Sequence, residues 1–148
     1  MKKLSSVFYM LFGLGFAVLA VLMMFVPMAS LSNGYIVSGA QMFWGKGVNG
    51  GAWPAFVGYM LILVGGLTMG VMALPFIQPS TKTEKIVLIS AGAAILIGAV
   101  LVGLIFVEYS ANNGYYKNLD YFHAGYYLTL AFSAIALASD VVALVLDW

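Results

Sequence analysis

The chain has 148 residues, of which 64% are apolar and 7% charged, with a formal net charge of +1. A soluble domain averages about 25% charged residues, so this chain lacks the charge to cover a water-facing surface, and lipid is the solvent its composition suits. The six lysines are scattered and arginine is absent, which excludes the clustered basic surface that nucleic acid demands; cysteine is absent too, which excludes disulfides, thiolate metal sites and cysteine nucleophiles.

A helix needs roughly 20 mostly apolar residues to cross the hydrocarbon core, and four stretches have that length. The first is expected over Val7–Met28. Lys2 and Lys3 before it and Pro27-Met28-Ala29-Ser30 after it have the outline of a secretory signal peptide. Its apolar run, however, is longer than the roughly 7–15 residues of such a segment, and Pro27 stands where a small residue belongs, so a retained anchor is expected. Ala29 to Trp53 form the first outer loop, rich in Gly, Ser and Asn. Strand-forming residues in Tyr35–Trp44, with turn chemistry at Asn33-Gly34 and Gly45-Lys46-Gly47, predict a short β-hairpin there, which must rest on helix ends, the membrane surface or another subunit.

The second span is expected over Pro54–Phe76 and the third over Ile86–Val107. Between them Gln78–Lys85 reads as a helix stop and a cap, with Thr81 or Thr83 as N-cap. A second outer segment, Glu108–His123, is rich in Tyr and Asn, and the fourth span follows over Ala124–Leu146. With the N-terminus inside, Lys2, Lys3, Lys82 and Lys85 lie on the cytoplasmic side against Lys46 and Lys117 outside, the sense of the positive-inside rule. Both termini are then cytoplasmic, and the plasma membrane is the expected location. Trp53, Tyr109, Tyr115, Tyr116, Tyr121, Tyr126 and Tyr127 crowd the outer boundary and Trp148 marks the inner one, as interfacial aromatics do. The fold class expected is therefore all-α integral membrane: one domain over residues 1–148, a four transmembrane helix bundle with a short β-hairpin in the first outer loop.

Four helices, both ends inside, and a longer first outer loop of β character resemble the claudin and MARVEL group of tetraspan proteins. Claudin-like first loops carry a Trp, then Gly-Leu-Trp, then two cysteines; this chain has Phe43-Trp44-Gly45 and no cysteine, so no residue role carries over. The resemblance implies a protein that works by lateral assembly and loop contacts.

Helices in lipid associate where small residues let backbones approach. Such stripes are Gly13, Ala17 and Ala20 on the first span, and Gly58, Gly66, Gly70 and Ala73 on the second. On the third they are Gly92, Ala99 and Gly103, with Ala91, Ala94 and Gly98 on another side, which suits a helix with two neighbours. Gly66-x-x-x-Gly70 has dimerisation spacing, although packing within the chain is its commoner use. On the fourth span Tyr126, Thr129, Ser133, Ala136, Asp140, Ala143 and Asp147 recur at spacings of three and four and share one face, while Leu130, Leu137, Val141 and Leu144 point elsewhere, toward lipid. Asp140 lies about 9 Å inside the end of that span, where an ionised carboxylate is costly unless paired, bonded or wetted. Two roles are open to it. Tyr9, Ser90, Lys85 or Lys3 would make it a structural clasp; a cytoplasmic cavity would make it a proton or cation site.

Glu108, Asp120 and His123, the only histidine, stand near the outer boundary as candidates for a metal or acid–base cluster, though the bland alternative of three solvated interface residues is favoured. No phosphate loop, His-Glu-x-x-His or nucleophile elbow appears, so no catalytic residue, metal or cofactor is assigned and an enzyme is not expected. The leading expectation is a non-enzymatic protein that assembles with itself or another membrane protein within the lipid bilayer. A small oligomeric transporter or channel using Thr129, Ser133 and Asp140 comes second, and a lipid-modifying enzyme using Glu108 and His123 third.

Overall fold

The computed structural model of the chain describes residues 4–31, 36–38, 40, 53–77, 80–105, 119–122 and 124–146. Among them are four long helices, each long and apolar enough to cross a membrane: α1 (Leu4–Leu22), α2 (Trp53–Met72), α3 (Thr81–Gly103) and α4 (Ala124–Leu146). A turn of 3₁₀ helix, Met23–Phe25, extends α1.

Proline and hydroxyl residues set the helix ends. Val26 precedes Pro27 and is extended, at φ −93° and ψ 146°, as the ring of a following proline requires. The first span therefore ends before the expected Met28, and Pro27 opens a strand instead. Pro75 likewise ends α2 at Met72 rather than Phe76. The third span starts earlier than expected because Ser80, not Thr81 or Thr83, is its N-cap: Ser80 Oγ accepts from the Thr83 amide at 3.2 Å. That cap draws Lys82, Glu84 and Lys85 into the helix. The fourth helix has the expected bounds.

The helices form a ring in which α1 packs on α2 and α4, and α3 packs on the same two; α2 and α4 face each other across the diagonal. Close approach at small residues makes these seams. On the α2–α3 seam a Cβ added to Gly58 would meet the Gly98 carbonyl oxygen at 2.6 Å, and one added to Gly65 would meet that of Ala91 at 2.8 Å. On the α1–α2 seam Gly66 abuts Ala17 and Gly70 abuts Leu14, so the Gly66-x-x-x-Gly70 pair serves contacts within the chain. The third helix has its two neighbours, with Gly98 turned to α2 and Gly92 to α4. Met10, Tyr59, Ile62, Met69, Leu88 and Ile95 fill the space between. Large apolar residues such as Phe8, Leu22, Val64, Ile89, Leu96 and Val145 are exposed. Small residues at the helix seams, buried polar residues on α4 and a large apolar exterior are the pattern of a bundle solvated by lipid.

At one end lies a small sheet of three strands, β1 (Pro27–Leu31), β2 (Ile36–Ser38) and β3 (Leu119–Phe122), in the order β2-β1-β3. Both pairings are antiparallel, Ala29 standing opposite Val37 on one side and Phe122 on the other. The hairpin expected over Tyr35–Trp44 is not supported. Of that stretch only Ile36–Ser38 is extended, Ala40 is helical and buried, and the rest, like Gly45-Lys46-Gly47, lies outside the described residues. The extended segment pairs instead with residues next to Pro27, whose ring ends the first helix. The sheet joins the two loops at this end and sits on α4, where a Cβ on Gly125 would meet the carbonyl oxygens of Pro27 at 2.7 Å and Val26 at 2.8 Å.

Candidate functional site

The polar stripe of α4 faces inward. Gly125, Thr129, Ser133, Ala136, Ser139, Asp140 and Ala143 are all buried and Tyr126 is half-buried, while Asp147 lies outside the described residues. The apolar positions expected to face lipid divide: Val141 is exposed, whereas Leu137 and Leu144 pack in part against the core. A helix with two neighbours buries more than its polar stripe, so the flanks of the stripe are covered as well.

Most hydroxyls on this face are satisfied by main chain. Thr129 Oγ1 donates to the Gly125 carbonyl at 2.7 Å and Ser133 Oγ to the Thr129 carbonyl at 2.7 Å. Ser139 Oγ donates to Ile135 at 2.8 Å. These bonds reach back one turn along the same helix, the usual recourse of Ser and Thr in lipid. Thr129 has spent its only proton, so the Tyr59 hydroxyl of α2, 3.0 Å from Thr129 Oγ1, is the donor across the bundle diagonal. Tyr126 donates to the Gly103 carbonyl of α3 at 2.8 Å, in the last turn of that helix where carbonyls lack helical partners. Ser6 of α1 donates to the Ala143 carbonyl at 3.1 Å. The fourth helix is thus tied by a hydrogen bond to each of the other three.

Asp140 is the exception. It is 2% exposed, its Oδ2 lies against Gly92 of α3, and its Oδ1 has no hydrogen-bond partner among the described residues. Any Cβ at position 92 would collide with that oxygen. Ser90, one of the expected clasp partners, is exposed and donates to the Ile86 carbonyl at 2.9 Å instead. Tyr9 is half-buried, its ring edge-on to Phe8 with centroids 5.5 Å apart. Lys85 is half-buried, and Lys3 lies outside the described residues.

A second buried carboxylate, Glu84, 6% exposed, falls within Gln78–Lys85, the stretch that reads as an interhelix turn in the sequence. It occupies the first turn of α3, where the helix dipole favours an acid, and shares a face with Leu88 and Gly92 at four-residue steps. That spacing is the signal that would have found it.

The outer candidates are not brought together by anything described. Asp120 belongs to β3, its side chain outside description, and Glu108 and His123 lie outside the described residues. No group of three metal-ligating side chains occurs among the described residues. No family model matches the chain, and no curated protein or solved structure matches it significantly.

Proposed function

We propose that this protein works by lateral assembly, with copies of itself or with another membrane protein, as a non-enzymatic scaffold of the plasma membrane. The observation that carries this reading is the way α4 spends its polar face. Thr129 and Ser133, the hydroxyls a conducting path would use, are 0% and 1% exposed and bonded to main chain and Tyr59. Conduction through a single copy has little left to run along in that half of the bundle. What remains available to partners is the apolar exterior of the helices and the end that carries the sheet. The small-residue seams are used within the chain, so assembly belongs to those outer surfaces and not to Gly66-x-x-x-Gly70.

Both termini are placed in the cytoplasm, on the lysine distribution. The chain has no cysteine, so single cysteines report cleanly. In intact cells Asn112→Cys is expected to react with a membrane-impermeant maleimide and Ser80→Cys to react only after lysis. Photo-crosslinkers at exposed Val64, Leu96 or Val145 are expected to trap a neighbouring protein, whereas crosslinkers at buried Ile62 or Ile95 trap only the chain itself. Equal yields from exposed and buried positions, or none from either, would sink the assembly reading.

A further inference from the structure

Asp140 makes demands that assembly does not explain. Its Oδ2 fills the notch left by the absent side chain of Gly92, and its Oδ1 lacks a partner among the described residues. The neighbourhood is apolar. Leu88 and Ile95, a turn to either side of Gly92 on α3, are fully buried, and Leu137 of α4 closes on the same glycine. Ser133 and Ser139, the nearest hydroxyls along α4, have given their protons to main-chain carbonyls. Other titratable groups stand on each packed element. The α1 helix brings Tyr9, half-buried; α2 brings Tyr59, bonded to Thr129 toward the sheet end; α3 brings Glu84, Lys85 and exposed Lys82 in its first turns. None of them bonds Asp140 Oδ1. A bare anionic oxygen in such surroundings is among the least favourable arrangements a membrane helix can hold, so something must neutralise it.

We propose that Asp140 and the notch at Gly92 form an exchangeable cation site, whose carboxyl carries a proton or a small alkali cation drawn from the end of the bundle where α1 starts and α4 finishes. That end is near: six residues of helix, about 9 Å, separate Asp140 from Leu146. A proton needs no further ligand, and an alkali cation would recruit water as its remaining oxygens. The site does not depend on the assembly reading.

The test uses the full chain in lipid nanodiscs and infrared spectroscopy of its carboxyl groups, from mildly acidic to mildly alkaline pH, in choline and then in sodium buffer. Aspartate labelled with carbon-13 separates the bands of Asp120, Asp140 and Asp147 from those of the glutamates, and Asp140→Asn assigns the one that belongs to Asp140. A protonated-acid band is expected in the wild type and in Glu84→Gln, lost in Asp140→Asn and lost from the wild type as pH rises. If the band disappears at lower pH in sodium than in choline, the site takes sodium as well; if the two buffers agree, it takes the proton alone. Gly92→Ala keeps the carboxyl but fills its notch, and is expected to shift the pH at which the band is lost. The proposal is overturned if no labelled-aspartate acid band that Asp140→Asn removes appears at any pH in either buffer, or if such a band appears only after Lys3→Met, which would show the carboxylate ion-paired with that lysine.

Discussion

Replacing Gly58 by alanine puts a methyl group where the Gly98 carbonyl oxygen already stands. The added Cβ would lie 2.6 Å from that oxygen, against about 3.4 Å for an ordinary contact, and 2.9 Å from the Leu101 Cβ. The main obstacle is backbone, which cannot rotate away, so α2 and α3 must part by about 0.8 Å to restore ordinary contact. A gap of about 0.5–1 Å forfeits a quarter to a half of the dispersion energy of the contacts it opens. In lipid those contacts hold the helices together without help from the hydrophobic effect. The expected cost is therefore that of overpacking a tight core, about 1–3 kcal/mol. Gly15→Ala is the matched control. Nothing lies within 4 Å of its added Cβ, so the higher helix propensity of alanine acts alone and stabilises by up to about 1 kcal/mol. Unfolding by SDS in mixed micelles, followed by circular dichroism, measures both. Should Gly58→Ala prove as stable as the wild type or as Gly15→Ala, the close α2–α3 seam would be wrong.

Other substitutions probe separate parts of the account. Tyr59→Phe removes the hydroxyl that crosses to Thr129, whose own proton remains bonded to Gly125; by the average of interhelical hydrogen bonds in membranes the loss is about 0.6 kcal/mol in the same unfolding assay. Ser80→Ala removes the cap of α3 at a cost of about 1 kcal/mol, and Ser80→Asp should restore most of it. Gly125→Ala drives a methyl into the Pro27 and Val26 carbonyls and is expected to lift the sheet from α4, seen as faster amide exchange at Ala29 and Ser30 with the exchange of α2 unchanged.

The helical part of the fold was legible because lipid imposes strong local rules. Four apolar stretches announce four helices, and the three-and-four spacing of Thr129, Ser133, Ala136, Asp140 and Ala143 marks the face that the structure buries. Glycine positions on the third span told of two neighbours because only small residues permit such approach. The sheet was less legible. Pairing of Ala29 with Phe122 joins segments far apart in sequence, and nothing local in either encodes the other. Pro27 was read as the tail of a long apolar run, although its ring ends the helix and starts the strand. At the α2–α3 turn Ser80, Thr81 and Thr83 offer similar capping chemistry, and the choice among them depends on backbone geometry. Glu84 stands in a stretch whose proline and hydroxyls read as a turn, whereas the cap at Ser80, one turn earlier, folds it into the helix. Asp140 was visible from the start; its burial against Gly92 was not, since that contact depends on the register between α3 and α4.

Assembly is the central claim, and its most direct measurement is the stoichiometry of the full-length protein in lipid vesicles as the protein is diluted into excess lipid, counted by single-molecule photobleaching. The account predicts two or more copies, or one copy together with a co-purified membrane partner, persisting well below the density at which chance co-occupancy accounts for them. Single copies at every dilution, with no partner retained from native membrane, would contradict it.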